Sequence, residues 1–173
     1  MLRAPFPIAA AGLVALLAAA PLAAQQAGPL TADIAGPDGT PLGRVTALPT
    51  ASGQMLLDLD LTGLPPGIHG VHVHETGDCG SADFASAGGH LHGDKQHGVM
   101  TEGGIHPGDL PNVSVPESGA VAVEYFVPAL TPEALMDADG SAFVIHAQPD
   151  DYSSQPSGNA GDRIGCGVFA PSS

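Results

Sequence analysis

Two histidines spaced one residue apart, His72 and His74, are the first residues along the chain whose pattern points to chemistry. They alternate with Val71 and Val73, and successive side chains of a β-strand point to opposite faces. Both imidazoles would therefore project together from one face while the valines enter a core. Such a pair suits a metal ion, but a strand can also carry two histidines on its polar face without binding one.

The other histidines strengthen the metal hypothesis. The chain has eight histidines but only four lysines and arginines, so a solvated charged face explains them poorly. His146 ends an apolar run, and one glycine-rich segment contains His90, His92, His97 and His106, with Asp109 three residues further on. Imidazoles with one carboxylate in such a segment are typical of tetrahedral zinc, which takes nitrogen and oxygen ligands and orders the loop that binds it.

The elements that must position these residues are β-strands. Alternating apolar runs are separated by clusters of Gly, Pro, Asp and Asn, and helical periodicity is nearly absent. Turn signals between the runs favour a sandwich or closed barrel of antiparallel strands. One short candidate helix spans Pro132 to Met136. The predicted strands are Leu30 to Ala35, Gly43 to Leu48, Gln54 to Leu61, Gly67 to His74, Ala120 to Phe126, Ser141 to His146 and Ile164 to Phe169.

Two long segments, Thr76 to Val113 and Ala147 to Asp162, show no strand pattern. Long loops in a compact domain are usually functional, and these two contain or flank most of the polar residues of interest. The first holds an Asn112-Val113-Ser114 triplet, which matters as a glycosylation signal only in a glycosylating secretory pathway.

Residues 1–24 are predicted to be a cleaved secretory signal peptide, which leaves residues 25–173 as one mature domain. Arg3 is the only charge in that leader, and its apolar run from Ala9 to Ala20 is shorter than the roughly 20 residues that span a bilayer. Export to an oxidising compartment would let Cys79 and Cys166 close one disulfide, although two free thiols are the alternative.

The charge of the mature chain excludes some partners. Without Arg3, three basic residues remain against 18 acidic ones, a net charge of −15 with histidine neutral. Such a surface repels nucleic acid and anionic membranes, so we expect neither partner once the leader is removed.

Six motifs together resemble those of the copper/zinc superoxide dismutases, and the resemblance runs from Leu30 to Val168. They are Gly70-Val71-His72-Val73-His74-Glu75, Gly88-Gly89-His90, Lys95-Gln96-His97-Gly98, His106-Pro107-Gly108-Asp109, Phe143-Val144-Ile145-His146 and Gly158-Asn159-Ala160-Gly161-Asp162-Arg163-Ile164-Gly165-Cys166-Gly167-Val168. The resemblance implies an all-β fold, a Greek-key antiparallel β-sandwich or flattened barrel of about eight strands with two long functional loops.

The same resemblance implies the roles of individual residues. It assigns copper to His72, His74, His90 and His146, and zinc to His90, His97, His106 and Asp109, with His90 bridging the two metals. It makes Asp150 a hydrogen-bond partner of His72 and His97, Arg163 the guide for an anion beside copper, and Cys79 and Cys166 the disulfide that pins the loop. The match departs from the family in one place, because the loop between His90 and His97 is shorter than the family pattern and reads Leu91-His92-Gly93 where an aromatic residue, Asn and Pro are usual. His92 is thus an extra imidazole that could compete with His97 for zinc, although we favour a solvent-facing or structural role. His69 is expected to pack internally, outside the site.

The function implied is an antioxidant oxidoreductase that converts its small-molecule substrate, superoxide, into oxygen and hydrogen peroxide. An exported protein of the same fold that buffers copper or zinc without turnover is the alternative. The Ala-rich leader is typical of bacteria and favours the periplasm, and we expect a monomer or a homodimer.

Overall fold

The computed structural model describes residues 28–172. The predicted signal peptide, residues 1–24, lies outside the described residues. The strands are β1 (Leu30–Ala35), β2 (Pro41–Pro49), β3 (Met55–Leu61), β4 (Gly67–His69), β5 (Val71–His74), β6 (Val113–Val115), β7 (Val121–Val127), β8 (Ala142–His146), β9 (Arg163–Val168) and β10 (Ala170–Pro171). One helical turn, α1 (Pro132–Leu135), and a short 3-10 helix (Ala85–Ala87) complete the elements.

Eight of the strands form one curled antiparallel sheet, in the order β5-β8-β9-β1-β2-β3-β7 with β10 beside β1. Neighbours such as β3 and β7, or β5 and β8, are distant in sequence, so the chain crosses between strands as Greek-key folds do. The predicted all-β class is confirmed. Among the described residues, no helix is long and apolar enough to cross a membrane.

The core follows the alternation that the sequence predicted. In β3, Met55, Leu57, Leu59 and Leu61 are almost completely buried, while Asp60 on the opposite face is exposed. Each such side chain stabilises the fold by roughly 1.5 to 3 kcal/mol through the apolar area it removes from water. The same period-2 pattern continues in β1 and β2, the next strands of the same sheet, and adds their buried residues to this core.

The predicted strand from Gly67 to His74 is wrong in one respect, because it breaks at Gly70. The carbonyl of Gly70 accepts from the N–H of His146, which continues the pairing of β5 with β8. The N–H of Gly70 instead donates to the carbonyl of Gln148, beyond the end of β8. Upstream of the break β4 pairs with β6, and downstream β5 pairs with β8. The register of the second pair places His146 on the same face as the two histidines of β5.

The face of β5, β8 and β9 that carries the histidines is covered by the first long loop. Phe84 and Ala87 from that loop pack on Ala142, Val144 and Cys166. A disulfide between Cys79 and Cys166 ties the loop to β9, as the even cysteine count suggested. The cover explains why all four residues of β5 are buried, when a strand with one solvated face would bury only two.

Candidate metal centre

Four histidines converge on the covered face and form what we term the copper group: His72, His74, His90 and His146. One ring nitrogen from each lies within 4.8 Å of the others, and the four residues are at most 4% exposed. His72 Nδ1 and the Nε2 atoms of the other three have no hydrogen-bond partner. Leaving a buried polar atom unpaired costs about 1 to 3 kcal/mol, so four such atoms aimed at one point fit a bound metal ion.

The other ring nitrogen of three members is held by a hydrogen bond that fixes the ring. His74 Nδ1 donates to the carbonyl of Gly88 at 3.0 Å, and His146 Nδ1 donates to that of Gly161 at 3.2 Å. His72 Nε2 donates to Asp150 Oδ2 at 2.7 Å. Because the proton sits on the bonded nitrogen, the nitrogen that faces the group carries a lone pair.

Burial keeps these rings neutral. It lowers the pKa of His72 to about 4 and that of His146 to about 3, and it also lowers the pKa of His74. An imidazole must be deprotonated to bind a metal, so the group is ready for one at neutral pH without releasing protons from these rings.

A second set, the zinc group, shares one histidine with the first and consists of His90, His97, His106 and Asp109. The Nδ1 atoms of its three histidines lie 2.9, 3.0 and 3.2 Å from Asp109 Oδ1. Asp109 Oδ2 accepts the N–H groups of Gly98 and His106, which aims the carboxylate. Three nitrogens and one carboxylate oxygen match the ligand chemistry of tetrahedral zinc.

Hydrogen bonds between histidine and carboxylate outweigh burial at two members of the zinc group, Asp109 and His97. Burial alone would raise the pKa of Asp109, but the bonds from His90 and His97 hold it well below its usual range. Burial alone would lower the pKa of His97, but its bonds to Asp109 and Asp150 raise it to about 9.

His90 joins the two groups through one ring. Its Nδ1 faces Asp109, its Nε2 belongs to the copper group, and its ring stacks on that of His72 with centroids 3.8 Å apart. The backbone after it is tied to β5, since the N–H of Leu91 donates to the carbonyl of Val73 at 2.8 Å. Gly108 bonds both partners, because its carbonyl accepts from the N–H of Val73 and its N–H donates to the carbonyl of Leu91. Only glycine fits at this position, since a Cβ would lie 2.3 Å from the Val73 carbonyl oxygen.

Asp150 connects the groups a second time from the other long loop. Its Oδ2 accepts from His72 and its Oδ1 accepts from His97 at 3.0 Å, so one carboxylate orients a ring in each group. Burial would raise its pKa, but the two histidine hydrogen bonds outweigh that effect and lower it.

Arg163 lies beside the copper group in a cavity of about 190 Å³. The cavity is lined by His74, His90, His146, Gly161 and Arg163, together with Pro156, Ser157 and Gly89. The guanidinium donates to the carbonyls of Phe84 and Gly88, and partial burial lowers its pKa. Gly88 therefore holds both a copper-group histidine and this arginine through one carbonyl oxygen.

The two remaining histidines lie outside both groups. The side chain of His92 is 56% exposed, and its Nε2 is 3.5 Å from Glu75 Oε2. His69 is buried and bonds the carbonyls of His146 and Pro65. Sequence reasoning missed the carbonyls of Phe84, Gly88 and Gly161, because every residue type carries a carbonyl and no sequence signal marks its use.

The fold and the site together define a β-sheet metalloprotein with two adjoining, histidine-rich positions for transition metals. The model of the family described as copper/zinc superoxide dismutase matches residues 42–169. A Cu-Zn superoxide dismutase of Caulobacter vibrioides is 45% identical over 140 residues, which cover 76% of this chain and 80% of that protein. One from Aquifex aeolicus is 41% identical over 137 residues, covering 75% and 80%.

Solved structures agree with these relatives. A Cu/Zn superoxide dismutase from Brucella abortus superposes with a TM-score of 0.68 at 31% identity, covering 82% of this chain and 99% of that one. A SOD-like protein from Bacillus subtilis superposes with a TM-score of 0.75 at 35% identity, covering 81% and 97%. The chain belongs to the copper/zinc superoxide dismutase family, an oxidoreductase family that uses copper and zinc.

Proposed function

We propose that this protein dismutates superoxide at a copper ion bound by the copper group, with zinc bound by the zinc group. The observation that carries the proposal is the set of four buried, unpartnered ring nitrogens beside a cavity that contains an arginine. The copper ligands would be His72 Nδ1 with the Nε2 atoms of His74, His90 and His146. The zinc ligands would be the Nδ1 atoms of His90, His97 and His106 with Asp109.

The overall reaction converts two superoxide anions and two protons into one molecule of oxygen and one of hydrogen peroxide. When bound, copper supplies the one-electron couple that oxidises the first superoxide and reduces the second, while zinc supplies positive charge on the shared imidazole. An all-imidazole donor set suits both oxidation states of copper.

Arg163 would attract and orient the anion. Its guanidinium is anchored by two carbonyls and faces the same cavity as His74, His90 and His146. A guanidinium fixed in advance costs no reorganisation when the anion arrives, and a partly enclosed cavity strengthens its attraction.

His90 would handle a proton at its Nε2. This nitrogen would hold a proton whenever it is free of the metal and would release that proton whenever it binds the metal, since an imidazole nitrogen must be deprotonated to be a ligand. Its Nδ1 stays in the zinc group throughout, and the ring is kept in place by its stack on His72.

We also propose that the chain is exported to the bacterial periplasm and that residues 25–173 form the mature domain, a monomer or homodimer that removes superoxide outside the cytoplasm. The predicted leader and the Cys79–Cys166 disulfide support export, because such bonds persist in oxidising compartments. Amino-terminal sequencing of the protein from a periplasmic extract tests this, and a protein that keeps its leader in the cytoplasm would contradict it.

The function is tested by measuring the metal content of the purified mature protein and its consumption of superoxide by pulse radiolysis. His146→Ala removes one nitrogen from the copper group and leaves all four zinc-group residues, so copper and turnover should be lost while zinc stays bound. Full metal loading of the wild type without faster superoxide decay would favour the alternative, a metal-buffering protein of this fold.

A further inference from the structure

Asp150 accepts hydrogen bonds from two histidine rings, so its carboxylate must lie within bonding distance of both. Its Oδ2 accepts from His72 at 2.7 Å, and its Oδ1 accepts from His97 at 3.0 Å and from the N–H of Tyr152 at 2.6 Å. The backbone of Gly158 packs against the same carboxylate. A side chain at Gly158 would clash with it, since its Cβ would lie 1.9 Å from Asp150 Oδ1. A carboxylate in this position can shift toward one ring only by leaving the other.

No strand holds Asp150, because it lies in the loop between β8 and β9. Its main chain is held by a side chain. The N–H of Asp150 donates to Asn112 Oδ1 at 2.8 Å, and its carbonyl accepts from Asn112 Nδ2 at 2.9 Å. One amide therefore satisfies both polar groups of this peptide segment, as a neighbouring strand would do.

Asn112 is itself fixed by two tyrosines. Its N–H donates to the hydroxyl of Tyr152 at 2.8 Å, and its carbonyl accepts from the hydroxyl of Tyr125 in β7 at 3.3 Å. It lies three residues after Asp109 and immediately before β6. Asn112 thus joins the end of the zinc-binding loop to the loop that carries Asp150.

We propose that Asn112 is a positioning residue that places the Asp150 carboxylate between His72 and His97 and so governs how firmly zinc is held. The inference rests on the proposed function of those two histidines and of Asp150. In the Asn112-Val113-Ser114 triplet, Asn112 then has a structural role. Its Nδ2, the atom that glycosylation would modify, already donates a hydrogen bond to the carbonyl of Asp150.

The central test is the rate at which a chelator removes zinc from the fully loaded protein. Asn112→Asp keeps the shape of the side chain but replaces the Nδ2 donor with an oxygen that faces the Asp150 carbonyl. We expect zinc release to become faster by up to about 10- to 100-fold, the usual cost of losing a direct partner of a metal ligand, because Asn112 acts through such a partner, Asp150. Asn159→Asp makes the same change in the loop that carries Asp150, where the amide bonds the exposed Asp151, and should leave zinc release unchanged.

A spectroscopic readout separates positioning from general loosening. In the copper(I), zinc-loaded protein, the Nε2–H protons of His72 and His97 should give slowly exchanging NMR signals because both are bonded to Asp150. These two signals should broaden or shift together in Asn112→Asp. If they stay as in the wild type while the melting temperature falls, the positioning role is wrong.

Asp150→Ala distinguishes failure of this inference from failure of the proposed site. If Asp150→Ala releases zinc faster and Asn112→Asp does not, the Asp150 role stands and the inference about Asn112 is overturned. If neither variant releases zinc faster, both ideas fail. The double variant should be no faster than Asp150→Ala alone, whereas additive effects would show that Asn112 acts elsewhere.

Should Asn112→Asp not fold, Tyr152→Phe replaces it, because it removes only the hydroxyl that holds the Asn112 N–H. Zinc release should accelerate in the same direction, and an unchanged rate would overturn the proposal.

Discussion

The copper group and the zinc group share a histidine but are positioned by different means. Three copper-group members, His72, His74 and His146, lie on paired strands, and hydrogen bonds fix their rings from behind. The zinc-group members lie in a loop and bond one another through Asp109. The sheet thus pre-forms the proposed copper position, whereas the proposed zinc position depends on contacts among the members of the group and on the bond from His97 to Asp150.

Covalent anchoring is the strongest test of this difference, because the disulfide ties to β9 the stretch of the loop that holds Arg163 through the carbonyls of Phe84 and Gly88. We expect the double variant Cys79→Ser, Cys166→Ser to lose about 4 to 5 kcal/mol of unfolding free energy, which is roughly a thousandfold or more in the folding equilibrium. This figure follows from a ring closed across a sequence separation of 87 residues. Equilibrium denaturation at fixed metal concentrations measures it.

The same variant should keep its zinc at native conditions and lose activity, because the loop that positions Gly88 and Arg163 is freed. Metal analysis and a superoxide-decay assay provide the check. Loss of zinc from the folded variant would mean that the zinc group also relies on the sheet.

The next largest effect is a difference in zinc affinity between variants of two histidines in the same loop, His97 and His92. His97→Ala should weaken zinc binding by more than about 100-fold, since losing a ligand costs more than losing a ligand's partner. His92→Ala should leave zinc binding unchanged, because this side chain is exposed and contacts Glu75. Zinc titration against a competing chelator measures both. The reverse result would show that the loop uses His92 as its ligand.

A smaller effect, on the rate of turnover, is expected from Arg163 in the cavity beside the copper group. Arg163→Ala should lower kcat/KM by about tenfold or more, because a charge inside a cleft raises the local concentration of an anion by that order. Arg163→Glu should lower it further, and copper and zinc contents should stay unchanged in both variants. Arg44→Ala is the matched control, since Arg44 is exposed and pairs with Asp33 on the sheet.

The salt dependence shows whether local or distant charge controls the rate. Screening acts over about 8 Å at physiological ionic strength, so distant acids are hidden while Arg163 acts at close range. The wild-type rate should fall as salt rises, and that of Arg163→Glu should rise. A wild-type rate that increases with salt would show that the acidic surface, and not Arg163, dominates the approach of the anion.

The smallest effect is expected at Asp83, an exposed carboxylate whose charge interacts with Arg163. Asp83→Asn should raise kcat/KM at low salt by less than about twofold, because surface charges contribute little in water. The gain should vanish at high salt. Asp60→Asn, the same change on the exposed face of β3, should have no effect, and an equal gain there would indicate net charge as the cause.

The sequence predicted most of what depends on side-chain type. Alternation placed β3 and its buried leucines, and the spacing of His72 and His74 predicted a shared face. The break at Gly70 could not be predicted, because it depends on hydrogen bonds to Gln148 and His146, far away in the chain. The hydrogen bonds between the Asn112 side chain and Asp150 could not be predicted for the same reason, since Asp150 lies 38 residues further along the chain.

If the chain is exported amino terminus first, as proposed above, the disulfide also sets an order of events. Cys79 emerges early, and Cys166 emerges after every candidate ligand and after Arg163. With only two cysteines in the sequence, Cys79 has no wrong partner within its own chain while it waits. Oxidation of this pair would therefore mark the moment at which translocation has delivered the whole metal centre.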